Sequence, residues 1–264
     1  MKSRKKMIMK ASIISAIVFV IQGVLTIIRT GIIVKTYGSN VNGVISLSQQ
    51  IFNYLVLLES GLGAAYLYKM YKPMAEKDLK KVKSLYLGLT KSLKKIAIVM
   101  FMVMIMISIF YPLIMNKENL SYITISLILI LLGVRFILPY YFTINQKNLL
   151  YIYEEKYIVD FIDGLSNSVM LVTEIILMKI FNLNIIIVLC IGIIGIIIVN
   201  YIYSFILKRR CKDILKQDAL PSYEGNSMTK DILVHQISSV VFSSTDNILL
   251  SIFSSLNNVT LRTS

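Results

Sequence analysis

The chain has 264 residues, 56% of them hydrophobic, with a mean hydropathy of +0.72. Soluble domains carry ~45–50% apolar residues, and apolar runs of about 20 residues, enough to cross a ~30 Å hydrocarbon core, recur along this sequence. The composition predicts an all-α polytopic membrane protein. Its net charge of +14 falls in short segments between apolar runs, as in membrane-protein loops, and gives no ground for a nucleic-acid partner.

The first segment, MKSRKKMIMK, followed by an apolar run from Ala11, imitates a signal peptide. No small-x-small cleavage site follows, so it reads as a retained first helix, about Ala11 to Val34. Helix 2 is expected from about Asn42 to Tyr68. The basic segment Lys69–Lys95 follows, part of it amphipathic and expected to lie on the membrane surface. Helix 3 is placed at about Ile96–Ile114, the loop Asn116–Asn119 next, and helix 4 at about Ile123–Thr143. After a loop at Asn145–Lys156 come helix 5, about Tyr157–Ile180, and helix 6, about Ile185–Leu207. They are joined by the short connection Asn182–Asn184. The longest polar stretch, Lys208–Asp231, precedes helix 7, about Ile232–Phe253. This divides the chain into a transmembrane portion at 1–207, a basic linker at 208–231 and a further portion at 232–264.

Lysine and arginine counts set the expected orientation. The N-terminus and the segments after helices 2, 4 and 6 together hold 22, against 3 on the other side. The positive-inside rule then places the N-terminus in the cytoplasm, in a multi-pass arrangement in the cytoplasmic membrane.

Charged and polar residues inside the spans are the candidate functional groups, because each is costly there: ~2.5–3.5 kcal/mol at the centre of the bilayer on insertion scales. At about 100° per residue, Ser15, Gln22 and Arg29 share a stripe of helix 1. Arg29 either snorkels to the outer surface or faces inward. Arg135, near the middle of helix 4, is expected to face a carboxylate or a water-filled cavity. Asp160, Asp163, Asn167 and Glu174 lie in one arc of helix 5. Asp160 and Asp163 are near the cytoplasmic end, where solvation alone explains them, whereas Glu174 lies deeper. In helix 7, His235, Ser239 and Asp246 share a face; Asp246 is expected to pair with a membrane arginine or to titrate. In helix 2 the neutral stripe Ser46, Gln49, Asn53 and Ser60 either packs against a neighbour or lines a cavity.

Glu59 lies about 120° from Asn53 around the helix. With Gly61 and Gly63 it reads as a packing and gating feature at the inner mouth. The candidate substrate-binding residues are therefore Arg29, Arg135, Gln22, Asn53 and Asp246. The candidates for ion coupling or gating are Glu59, Asp163, Glu174 and Asp246. Cys190 and Cys211 are expected at different depths and unbridged. With one histidine and no paired Cys/His spacing, no metal set is expected. No phosphate-binding loop, zinc-protease motif or nucleophile with a plausible histidine is present. No catalytic residue, enzymatic activity or cofactor is assigned.

The run IIRTGIIVKTYGSNVNGVISLSQQIFNYLVLLESGLGAAYLYKMYKP, ending at Pro73, resembles the start of Wzx-type polysaccharide flippases. Those show an arginine late in helix 1, an "IKxLG…GINGLF" turn and then "L(A/E)ELGLGSA…YKP". INQKN at Ile144–Asn148 is similar to the family's "ADQKN", and STDNILLS within His235–Phe253 to its "STDNIIIS". The resemblance implies the superfamily of MATE-type exporters, with two helical lobes around an alternately accessible cavity. It implies transport of undecaprenyl-diphosphate-linked oligosaccharide to the outer leaflet, and glycan polymerase or other assembly proteins as partners in the membrane. Arg29 and Asp246 carry over by match. Against the family's twelve or fourteen helices, about seven are expected here: one six-helix lobe plus the first helix of a second, so the sequence reads as truncated. Two alternatives remain open: an ion-coupled exporter of small cationic drugs, and an inactive remnant.

Overall fold

The computed structural model describes residues 2–56, 60–114 and 120–227. Within them the chain is helical, without strands. Eight longer helices run α1 (Lys2–Tyr37), α2 (Ser39–Val56), α3 (Ser60–Ala75), α4 (Leu79–Ile114), α5 (Tyr122–Phe142), α6 (Ile144–Ile152), α7 (Lys156–Lys179) and α8 (Ile185–Arg210). A single turn, α9 (Lys212–Leu215), and a 3-10 turn at Glu224–Ser227 complete the described elements. Five spans are long and apolar enough to cross a membrane, or six if α2 and α3, inclined at 42°, are one bent span. Glu59, the loop Asn116–Asn119, His235, Ser239, Asp246 and the whole of expected helix 7 lie outside the described residues, as do the side chains of Ser15 and Ser60.

The breaks between helices have local causes. Gly38 sits at φ +90° between α1 and α2, a conformation that costs a β-carbon-bearing residue strain. Asn182 takes φ +48° at the end of α7, and the Asn184 side chain caps α8 by accepting from the Ile186 amide at 3.0 Å. Ser121 caps α5 through the Thr124 amide. These caps satisfy amides that a helix start leaves open.

Three expectations are corrected. The basic segment Lys69–Lys95 is not a separate surface helix: α3 ends at Ala75 and α4 runs unbroken from Leu79 to Ile114. No proline interrupts it before Pro112. Its 36 residues measure ~54 Å at 1.5 Å per residue, well beyond a ~30 Å hydrocarbon core. The basal half buries Val82, Leu85, Tyr86, Leu89 and Leu93, at helical spacing, against protein. Second, most of the expected loop Asn145–Lys156 is helix α6, which buries Asn145, Asn148, Leu149, Leu150 and Ile152. Third, the stretch from Lys208 is not a free linker over its described part. Cys211 and Ile214 sit in the same core as Val82 and Tyr86. The Ser222 amide donates to the Ser84 carbonyl at 2.9 Å, and the Ser84 hydroxyl donates to the Leu220 carbonyl at 2.6 Å. This strap lies against α3 and α4.

The core has three parts. One gathers the ends of α3, α4, α6, α7 and α8 on the basic side with α9. A second gathers Ile33, Val44, Ile128, Met178, Val188 and Leu189 at the opposite end of α1, α2, α5, α7 and α8. The third joins α2, α4 and α5 at mid-depth, with Phe52 stacked on Phe136 at 4.8 Å between centroids. Large apolar side chains such as Phe19, Ile27, Phe101, Phe110, Val169 and Ile198 point outward. In water such a surface would be an aggregation patch; on membrane helices it is the face that meets lipid.

Candidate functional site

The charged groups of α1, α5 and α7 converge one turn inside the second core. Four residues back from Ile33 and Met178 are Arg29 and Glu174; α5 brings Arg135 and α8 brings Gly192. Glu174 is buried at 2% exposure, and each of its oxygens meets a different arginine. Arg29 Nε donates to Oε2. Arg135 Nη1 makes an ion pair with Oε1, without the angle of a hydrogen bond. Gly192 supplies the space: a β-carbon there would stand 2.8 Å from Arg135 Nη1. Counted along the helices, Glu174 lies ~8 Å and Arg29 ~12 Å from their nearer helix ends.

One carboxylate between two guanidinium groups leaves a net charge of +1. The low-dielectric setting strengthens both attractions, while stripping three charged groups of water opposes folding. The arginines are therefore held in place but not fully neutralised. A nearby anion would meet two oriented guanidinium forks, the geometry that suits carboxylate and phosphate oxygens.

Of the two readings of Arg29, snorkelling and facing inward, the structure takes the second: the residue is 9% exposed. Arg135 does face a carboxylate. Gln22, two turns from Arg29 on the same stripe, donates through Nε2 to the Gly164 carbonyl of α7 at 2.9 Å, so it joins helices away from the arginines. Asn53 lies on an exposed face of α2 with Gln49, whereas the opposite face packs Val44, Ser48, Phe52 and Leu55 inward. Gln49 and Asn53 of the neutral stripe are thus turned away from the helices described, while Ser46 is half-buried.

Asp163 belongs to a separate cluster toward the basic end. Lys147 Nζ donates to Oδ2 at 2.7 Å, and the Tyr203 hydroxyl donates to Oδ1 at 2.8 Å. Asp160 pairs with Lys156 at 2.7 Å. Asn167 is exposed. The arc of acidic residues on α7 is therefore divided among three environments. Tyr203 and Gly192 are not singled out by the sequence, and Lys147 only as part of the INQKN motif. Gly192 carries a faint signal, a glycine amid bulky apolar residues of α8; Tyr203 carries none, and the INQKN motif does not link Lys147 to Asp163, since only the fold brings α6 and α8 to that carboxylate.

Comparison with protein-family models, with curated proteins and with solved structures returns no match.

Proposed function

We propose that this chain forms a helical lobe of a lipid-linked oligosaccharide flippase of the cytoplasmic membrane, with its N-terminus on the cytoplasmic side. The observation that carries the reading is the convergence of Arg29 and Arg135 on Glu174 inside apolar helices. The resemblance of the sequence through Pro73 to Wzx-type flippases supplies the substrate class. In this reading Glu174 is a placeholder. It satisfies both guanidinium groups while the site is empty, and the diphosphate of the carrier lipid replaces it through charge-assisted bonds. A site that is alternately satisfied by Glu174 and by diphosphate has two states, which is what alternating access between lobes needs. A second lobe would close the cavity, and the exposed Gln49–Asn53 face of α2 is the surface it would meet.

One structural fact favours a second reading. Glu174 is so fully enclosed that the triad also fits a static clamp tying α1, α5 and α7 together. Binding of undecaprenyl diphosphate to the purified chain separates the two. The placeholder reading expects Arg29→Ala and Arg135→Ala, compared at equal folded amounts, each to weaken binding about tenfold or more, the scale of one lost charge-assisted bond. Equal binding by both variants and the parent, or unchanged polysaccharide export when both arginines are replaced in cells, would remove these residues from the site.

A further inference from the structure

A groove of about 280 Å³ opens on the outer wall between α4 and α5. Its sides include Ala97, Ile98 and Phe101 of α4 and Val134, Leu138 and Tyr141 of α5. Apart from the tyrosine tip these are hydrocarbon surfaces, and Ile98 and Phe101 are 48% and 41% exposed. The groove exists because Ala97 is the smallest residue on that stretch of α4, while the flanking Met100 and Met104 are packed tightly inward.

Its mouth is basic. Lys91, Lys94, Ile98 and Phe101 succeed one another at spacings of three and four, so they share one stripe of α4. Lys94 Nζ stands 4.8 Å from the centroid of the Tyr141 ring, which holds the ammonium at the groove's end by cation–π attraction. Lys95 is adjacent. No carboxylate among the described residues forms an ion pair with Lys91, Lys94 or Lys95. An apolar slot that ends in two or three ammonium groups with no ion-pair partner among the described residues, at a membrane boundary, has the charge and shape of a lipid site.

We propose that this groove binds an anionic phospholipid, with an acyl chain along Ile98, Phe101 and Leu138 and the phosphate against Lys94 and Lys91. A zwitterionic lipid offers the same chain but a head group of no net charge, so the lysines make the site selective. The proposal depends on the chain lying in a membrane and not on what it transports. It is independent of Arg29, Arg135 and Glu174.

The sequence contains no tryptophan, so Phe101→Trp places a single reporter in the groove with little change of shape. The 264-residue chain carrying this substitution is reconstituted in phosphatidylcholine vesicles containing graded brominated phosphatidylglycerol, or brominated phosphatidylcholine, and quenching is measured. Phosphatidylglycerol is expected to quench at about fivefold lower mole fraction or less, the scale of one lysine near a lipid phosphate. Adding Lys91→Ala and Lys94→Ala should abolish that preference while leaving quenching by phosphatidylcholine unchanged. Lys77→Ala with Lys80→Ala, basic residues elsewhere on α4 and its entry, should keep it. Equal quenching by both lipids in the parent, or a preference that survives loss of Lys91 and Lys94, overturns the proposal. So does displacement of brominated phosphatidylglycerol by undecaprenyl phosphate at a tenth of its mole fraction, which would assign the groove to a polyprenyl carrier.

Discussion

Replacing Glu174 with glutamine keeps the shape of the triad and removes its negative charge. Two guanidinium groups then face each other with no carboxylate between them. Breaking a buried ion pair by removing one partner costs about 3–5 kcal/mol. Here a single substitution strips the partner from two cations at once, so the upper part of that range applies. Arg29→Ala or Arg135→Ala, by contrast, leaves a neutral one-to-one pair and should cost less than Glu174→Gln. Replacing all three residues with glutamine removes every buried charge and should recover most of the loss, since an ion triad is often matched by uncharged residues of similar volume. The order of stabilities rests on charge counting alone. Thermal unfolding in detergent can be followed with a thiol-reactive dye on a Cys190→Ser background, because Cys211 is fully buried and becomes reactive on unfolding. At about 2–4 °C per kcal/mol, Glu174→Gln should lower the midpoint by about 10 °C or more. A shift under about 2 °C for Glu174→Gln, or a larger loss for Arg29→Ala than for Glu174→Gln, would refute the electrostatic account of the triad.

Four further outcomes rest on close contacts, charge and burial. Gly192→Ala puts a methyl group 2.8 Å from Arg135 Nη1, so it should destabilise by about 1–3 kcal/mol, and by much less in an Arg135→Ala background; the double-mutant cycle measures this coupling. Gly88→Ala drives a β-carbon into the Ser222 carbonyl group, so the strap should leave α4, read as lost amide protection over residues 215–225. The same protection should depend on acidity: hydrogen bonds from Lys81 and then Ser222 hold the Glu224 carboxyl below its usual range, so its contribution is present above the unfolded pKa and lost as pH falls through the lower folded one. Its exposure makes the effect small. Burial, with the nearby Glu155 carboxylate adding to it, pushes the Cys211 thiol up to about 12. At pH 8 the folded protein should therefore hold about a thousandfold less Cys211 thiolate than a small free thiol and alkylate correspondingly slowly, returning to the ordinary rate once unfolded.

Much of the architecture is legible because apolar length and loop charge are properties of contiguous residues. The ends of helices 5 and 6 fall within a few residues of α7 and α8, since Asn182, Asn184 and the terminal lysines and arginines mark them locally. The extent of α4 is not legible in this way. Lysines at 80, 81, 83, 91, 94 and 95 look like a membrane-surface segment. The decisive fact is that Val82, Leu85 and Leu89 find partners in α6, α8 and α9, and those partners are distant in sequence. The same division holds at the arginines. Helix phase and depth identify Arg29, Arg135 and Glu174 one by one as residues that need partners. That they are one another's partners depends on α1 packing on α7 and α5 on α8, which no local pattern encodes. Gln22 shows the opposite case: it shares Arg29's stripe, yet its partner is a backbone carbonyl exposed by a glycine of α7.

The strap has a consequence for assembly. A stretch of about 20 polar residues, if unattached, would let the next segment of chain explore a sphere with a root-mean-square radius of roughly 25 Å. Here Cys211, Ile214, Ser222 and Glu224 are fastened to α3 and α4, so the strap is held at one fixed place on the basic face. In general, a tether that begins later along a chain is shorter, and a shorter tether raises the local concentration at which two linked parts meet. Releasing the strap by Gly88→Ala would move that starting point back toward the end of α8 without altering the rest of the helical body. The residues from Cys211 to Glu224 thus set, through geometry alone, the earliest point from which a tether could run.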